Sequence, residues 1–365
     1  MITDGETPLE AELKAQISQD GPMSIAHYMA QVLGHPKYGY YMSRDPFGGR
    51  GDFITAPEVS QIFGELIGVW CAAGYQMIGA PERFALVEFG PGRGTLMGDV
   101  LRAAKVMPGF LAAAEVHLVE TSPLLAQNQK IKLAGAGVPV SWHQSFESVP
   151  EIPLVLLANE FFDALPIRQI QKAEAGWHER VVGLEAGNLS FGLAQSEAPP
   201  AFADAAAPEK TIVEISAARD QLAESFGARM AAQGGCGLII DYGHTQSAAG
   251  ETLQAMSKHG YVDVLHRPGH CDVTSHVDFE SLARRIEAGG SKTYGPVPQG
   301  PFLHAMGLEV RAEKLKEKAM SRQKRLIDSA VERLAGRDQM GALFKVLALT
   351  HPDCPIPAPF EGLSP

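Results

Sequence analysis

The sequence predicts an α/β fold with a mostly parallel, doubly wound sheet, and three observations predict it. From Pro81 onward short apolar runs alternate with helical stretches, the rhythm of parallel strands joined by crossover helices. The first run passes through a glycine-rich turn straight into a helix. Polar residues gather just past the ends of the runs, where such sheets open into a ligand crevice.

Composition agrees with a folded protein of one large domain with additions, or of two domains. The chain has 365 residues, 45% hydrophobic and 20% charged, enough to bury a core and too apolar for wholesale disorder. A net charge of -11 disfavours nucleic acid as partner, because phosphate backbones reward Lys and Arg surfaces. The four cysteines, Cys71, Cys236, Cys271 and Cys354, are scattered and lack metal-ligand spacing, so no metal is expected. Twenty consecutive apolar residues, roughly what a bilayer requires, occur nowhere, so no membrane insertion is expected. The polar, acidic N-terminus resembles neither a signal nor a transit peptide, and predicts a cytoplasmic, bacterial protein.

Leu9, Leu13 and Ile17 recur at helical spacing, and Ser24 is placed to cap a second helix reaching residue 34. Residues 35–60 are dense in Gly, Pro and aromatics, which reads as an ordered functional loop. Helical periodicity returns from Val59 to Met77. Strands are then expected at Phe84–Phe89, Glu115–Glu120, Val138–Trp142 and Pro153–Ala158, with helices over about Leu96–Val106 and Pro123–Leu133. Alternation from Ile167 to Leu184 around Glu174-Ala175-Gly176 predicts an inserted β-hairpin. Residues 186–209, rich in Ala and Pro, read as a surface loop. A helix over Ala217–Gln233, a strand over Cys236–Asp241, and helices near Asp278–Ala288 and Leu308–Leu334 complete the pattern. The proline-rich tail reads as extended. Residues 1–80 thus form an N-terminal helical and loop region over the active site. Residues 81–350 form the main domain, with an insertion at about 164–215, and 351–365 the tail.

The chemistry sits in Leu86-Val87-Glu88-Phe89-Gly90-Pro91-Gly92-Arg93-Gly94-Thr95. Glycines at a strand-to-helix turn let a ligand approach the backbone and meet helix N-terminal amides. Taken alone such a turn is weak evidence, since tight structural turns use glycine too. Its G-x-G-x-G spacing differs from the G-x-G-x-x-G of dinucleotide sites, which makes a nicotinamide enzyme a poor reading. Glu88, closing the strand, is placed to hold the ammonium of a methionine moiety, and Glu120, ending the second strand, to accept from both ribose hydroxyls. Gln144, Ser145 and Phe146 follow the third strand, where adenine would be held, although an ordinary turn uses the same residue types. Asn159, Glu160 and Asp163 follow the fourth strand and would flank the transferable methyl; helix capping is the structural alternative for Asn159 and Asp163. Methyl transfer from a sulfonium needs alignment, exclusion of water and a proton acceptor. Carboxylates suit a guanidinium acceptor, which they hold by charge-assisted bonds, so Glu160 is the first catalytic candidate and Asp163 the second. Phe161 and Phe162 read as core or pocket wall.

In order along the chain, the segment from Gly21 to Glu65, VEFGPGRGTL, ANEFFDALP, DYGH and QGPFLHAMGL resemble the MidA-type family. The likeness runs from about Gly21 to Leu349. It implies a Rossmann-like class I methyltransferase fold and S-adenosyl-L-methionine as donor. The implied acceptor is an arginine of a complex I core subunit, dimethylated symmetrically, in a role assisting complex assembly. Carried over by position, Glu88, Gly90, Pro91, Gly92, Gly94 and Glu120 would hold the donor. Asp52, Phe53, Thr55, Pro57, Glu58, Ser60 and Gln61 would form a lid or substrate wall, and Asn159 and Glu160 would face the acceptor. Asp241–His244 and Gln299–Leu303 match motifs without a role derivable from the residues, though His244 could serve as a base. Two alternatives stay open: a small-molecule or other side-chain acceptor, and a non-catalytic assembly chaperone.

Overall fold

Phe84–Phe89 (β1) is apolar except for Glu88 and buried at every position, as a strand covered on both faces must be. The computed structural model, which describes residues 5–44, 55–196 and 207–363, places it mid-sheet. The other strands are Ala114–Val119 (β2), Val140–His143 (β3), Leu154–Asn159 (β4), Gly235–His244 (β5), Lys292–Pro298 (β6) and Phe344–Thr350 (β7). Their order in space is β6-β7-β5-β4-β1-β2-β3, with Val277–Asp278 paired to the end of β5. Strands β1 to β5 run parallel. β7 lies antiparallel between β5 and β6. The chain leaves β1 for β2 and β3 on one side, then returns to β4 on the other. That reversal opens a crevice beyond the carboxyl ends of β1 and β4.

Alternation along β1 divides the core. Ala85, Val87 and Phe89 pack with Ala223, Phe226, Phe279 and Leu282, from helices Ala217–Gln233 and Phe279–Ala288. Phe84 and Leu86 pack with Ile67, Trp70, Met97 and Val100, from helices Gln61–Met77 and Thr95–Ala103. These two helices approach closely because Gly68 has no side chain. A Cβ there would lie 2.8 Å from that of Ala103.

Helices Pro8–Asp20 and Ile25–Gly34 form as expected, with Ser24 Oγ accepting from the His27 N–H. They dock on Val182 of the inserted sheet, on Ile167 just ahead of it, and on Ala255 and Val273 of a small three-stranded sheet (254–257, 260–262, 272–274). Tyr41 and residues 55–58, rather than these helices, reach the crevice.

Three expectations are corrected. Residues 186–209 are not simply loop: Asn188–Gln195 pairs along Gly176–Glu185 from Glu185↔Asn188 to His178↔Gln195, and residues 197–206 lie outside the described part. The small side chains that suggest a loop are accommodated on an exposed edge strand. The expected hairpin Arg168–Ala173/Gly176–Glu185 is present, extended by this strand, by Ile212–Ile215 and by Met23–Ser24. The long helix Leu308–Leu334 is two, Leu308–Lys316 and Ser321–Ala335. Met320 is extended (φ -71°, ψ 160°), and its N–H donates to Gln323 Oε1 at 2.8 Å, starting the second helix afresh. Finally, the 35–60 stretch contains short helices at Tyr40–Ser43 and Ala56–Val59.

Candidate active site

Parallel register brings the strand ends level: Phe89 lies opposite Val119 and Ala158, Val119 opposite His143, and Ile240 opposite Asn159. The residues just beyond them therefore share one crevice. Gly90, Gly92 and Gly94 all have positive φ (57°, 51° and 76°), conformations that glycine adopts without the strain a Cβ brings. A Cβ on Gly90 would also lie 2.9 Å from Phe161. The turn delivers Thr95 as the first residue of its helix, and Thr95 and Leu96 line the crevice at the helix N-terminus.

Glu88 is 3% exposed and its Oε2 has no hydrogen-bond partner among the described residues. Burial, and then the nearby Glu120, push its carboxyl up to about 8. An unsatisfied buried carboxylate is costly and calls for a cationic or donor partner. Glu120 accepts from the Ser122 N–H at 2.7 Å and from Gln129 Nε2 at 3.0 Å, and burial raises its pKa.

Gln129 escaped the sequence reading. Fully buried, it donates through Nε2 to Gly92 O (2.8 Å) as well as to Glu120, and its Oε1 accepts from Trp142 Nε1 at 2.9 Å. One amide thus ties the glycine turn to the acid after β2. Its signal was a polar residue four positions after Leu125, on the buried face of its helix.

Beyond β4, Glu160 has φ 49°, an uncommon conformation for a residue with a side chain. Its Oε1 accepts from the Ala56 N–H at 2.9 Å and from Asn159 Nδ2 at 3.2 Å. Burial, outweighing the Ala56 bond, brings its carboxyl up to about 7. Asn159 Oδ1 and Asp163 Oδ1 are buried without partners among the described residues. The turn is pinned from β5: Asp241 Oδ2 accepts from the N–H groups of Phe161 (3.2 Å) and Asp163 (3.1 Å). That gives the Asp241 of the DYGH segment a positioning role that its sequence did not disclose.

A cavity of about 430 Å³ brings together Glu120, Gln144, Ser145, Phe146, Glu160 and Asp163, with Thr55, Gly90 and Gly92. A narrow recess beside it is lined by Glu88, Gly90, Pro91, Gly92, Asn159 and Glu160, with Thr55, Pro57 and Glu58. Phe146 also packs edge-on against Phe89, centroids 5.3 Å apart. Gly94 begins the helix behind the turn. Glu58 accepts from Thr95 Oγ1 at 2.6 Å and lies 3.8 Å from Arg93 Nη1, fastening the 55–58 segment to the glycine turn.

Other predicted residues are not gathered there. Ser60 caps helix Gln61–Met77, and Gln61 is exposed. Asp52 and Phe53 lie outside the described residues. His244 points towards Asp278, 3.9 Å away, in a separate hollow of about 710 Å³ that holds no other predicted site residue. Gln299 is structural: fully buried, it donates to Leu334 O at 2.8 Å. Among the described residues no His, Cys, Asp and Glu group is arranged to hold a metal. No described helix is long and apolar enough to cross a membrane.

The model of the family described as "Putative S-adenosyl-L-methionine-dependent methyltransferase" matches residues 66–297. The chain is 37% identical to the mitochondrial protein arginine methyltransferase NDUFAF7 homolog of Drosophila melanogaster, over 94% of this chain and 85% of that one. It is 37% identical to the mitochondrial protein arginine methyltransferase NDUFAF7 of Homo sapiens, over 94% and 83%. A COG1565 superfamily member from Burkholderia thailandensis, crystallised with S-adenosyl-homocysteine, superposes with a TM-score of 0.82 at 26% identity, covering 94% of this chain and 92% of that one. Relatives named as mitochondrial contradict the cytoplasmic placement expected from the N-terminus. A cellular address is carried by short segments that the fold does not constrain, so the N-terminal composition was a poor guide.

Proposed function

The chain belongs to the S-adenosyl-L-methionine-dependent methyltransferase family, and we propose that its acceptor is an arginine of a protein substrate, a core subunit of respiratory complex I. The donor supplies an electrophilic methyl group on a sulfonium. Around it, Glu88 would hold the ammonium, the turn Gly90-Pro91-Gly92-Arg93-Gly94 the backbone-facing side, and Glu120 the ribose hydroxyls. Gln144, Ser145 and Phe146 would bound the adenine. The unpartnered Oε2 of Glu88 supports this fit, because a buried acceptor lacks the donor that an ammonium provides.

The observation that carries the acceptor reading is Glu160, a carboxyl brought to about 7 at the mouth of β4 beside the glycine turn. A base poised near neutrality accepts a proton without being permanently protonated. Glu160 would hold the guanidinium by charge-assisted bonds as its nitrogen attacks the methyl carbon. With the methyl given up by the donor as S-adenosylhomocysteine is formed, Glu160 would take the proton of the alkylated nitrogen. Thr55, Pro57 and Glu58 would close the crevice and exclude water. The relatives named protein arginine methyltransferases support the same acceptor class.

The test is product identity. The protein is incubated with methyl-labelled S-adenosyl-L-methionine and complex I core subunits, and the hydrolysed product is resolved by amino-acid analysis. Label in methylarginine is expected; label in another side chain or in a small molecule would overturn the acceptor.

A further inference from the structure

Helices Leu308–Lys316 and Ser321–Ala335 present two unlike faces. Inward, they bury Leu308, Ala312, Ala330 and Leu334, while Leu315, Ile327 and Val331 pack on the core. Outward, around the turn that joins them, Met320 is 72% exposed and Leu326 63%. Single apolar side chains scattered over a surface mean little, but these two stand among cations. From Lys318 to Ile327 ten residues hold four cations and no acid, in a chain whose net charge is -11.

The pair is held together by Lys316, which pairs with Asp328 across the two helices and with Glu313 at 2.8 Å. Lys318, Arg322, Lys324 and Arg325 are exposed and have no ion pair among the described residues. Arg322 and Arg325 stand three apart on one helix, so their charges repel. The first turn of that helix holds no acid to offset them. A merely solvated face has no need of such crowding. Beside a surface of fixed negative charge the same crowding becomes favourable.

We propose that the tip formed by residues 318–326 docks the protein on an anionic phospholipid surface, lying on the bilayer without crossing it. The four cations meet lipid phosphates, while Met320 and Leu326 enter the boundary between headgroups and acyl chains. The apolar pair decides among anionic partners, because nucleic acid rewards the cations and leaves exposed Met and Leu side chains without a place. The acidic remainder of the chain is compatible with this, since a flat surface meets the tip alone. Helix Ser321–Ala335 also packs beside Ala56–Val59, which borders the crevice. Docking therefore holds the crevice in a fixed relation to the bilayer and favours acceptors that reside there. None of this depends on the acceptor being arginine.

The test is co-sedimentation of the full chain with vesicles of phosphatidylcholine containing about 30% phosphatidylglycerol, and with vesicles of phosphatidylcholine alone. Binding to the anionic vesicles only, weakening between roughly 50 and 500 mM salt, is expected. Each cation near such a surface strengthens binding by about fivefold, so Lys324→Glu/Arg325→Glu should weaken it by about 25-fold or more. Met320→Ser/Leu326→Ser should weaken it by about tenfold or more. Absence of wild-type binding to the anionic vesicles overturns the proposal, as does undiminished binding of either double variant. Should one double variant not fold, the other decides. Tighter binding of single-stranded polyuridylate than of the anionic vesicles would make nucleic acid the partner and overturn it too.

Discussion

The backbone N–H of Ala56 donates to Oε1 of Glu160 at 2.9 Å. A segment ahead of the sheet thereby touches the carboxyl proposed to take the proton. The bond favours the ionised form, burial opposes it, and burial prevails, leaving Glu160 near 7. kcat/KM should therefore rise with pH through about 7 and then level off, since that ratio reports the free enzyme's essential groups. A profile flat from pH 5.5 to 8.5, roughly the range over which such a group titrates, would contradict the assignment.

Stability follows the opposite sign. The folded-state pKa of Glu160 lies above the unfolded value of about 4.3, so folding favours the protonated form. Its contribution to stability is fully present below about 4.3 and is lost as pH rises through about 7. Glu160→Gln should remove that part of the pH dependence, read as a flatter plot of Tm against pH between those limits.

Gly92, at φ 51°, lines both the cavity and the recess proposed for the donor. Gly92→Val introduces a branched side chain in a left-handed conformation and fills the approach path. We expect donor affinity to fall by about tenfold or more in a protein that still unfolds cooperatively. Normal S-adenosyl-L-methionine affinity in that folded variant would move the site elsewhere.

Gln129 joins Gly92, Glu120 and Trp142 through one amide. Gln129→Leu keeps the volume but leaves buried partners unsatisfied, a loss of about 1–3 kcal/mol. Gln129→Glu should weaken donor binding further, because it sets a second carboxylate beside Glu120 and removes the donor hydrogens. Thermal unfolding and donor titration of both variants check the ranking; equal donor affinity in the two would reduce Gln129 to packing.

Glu88 provides a proton-linkage test. With its carboxyl at about 8 in the free protein, it is mostly protonated at pH 7. Pairing with an ammonium favours the carboxylate, so donor binding at pH 7 should release a proton, and affinity should climb between pH 6 and 8, roughly the titration range of the group. Calorimetry in buffers of different ionisation enthalpy reads the release directly. Glu88→Gln should abolish that contribution; release that persists unchanged in the variant assigns the proton to another group.

Much of this fold is legible in the sequence because β1 to β5 are short apolar runs whose neighbours in the chain are mostly their neighbours in the sheet. The acids that close β1 and follow β2 are legible for the same reason: a strand end has a defined position. β6 and β7 were not read, since Lys292–Pro298 contains two prolines and a glycine and the pairing of Phe344–Thr350 with β5 spans about a hundred residues of chain. Asn188–Gln195 was missed because an edge strand tolerates the small, polar residues that elsewhere mark loops. Within the site, Tyr41, Asp241 and Asp272 carry no local motif. Tyr41 meets Asp272, and Asp241 meets the 160–163 turn, only through the topology of the chain, which sequence spacing does not encode.

The central claim is that Glu160 accepts the proton of an arginine methylated at the ends of β1 and β4. It is tested most directly by single-turnover methyl transfer to an arginine acceptor in wild type and Glu160→Gln, each saturated with donor, with donor affinity measured in parallel. Slowing of transfer by about 100-fold or more at unchanged donor affinity is the predicted result. Transfer at the wild-type rate in the variant would contradict the claim and leave Glu160 a structural carboxyl bonded to Ala56.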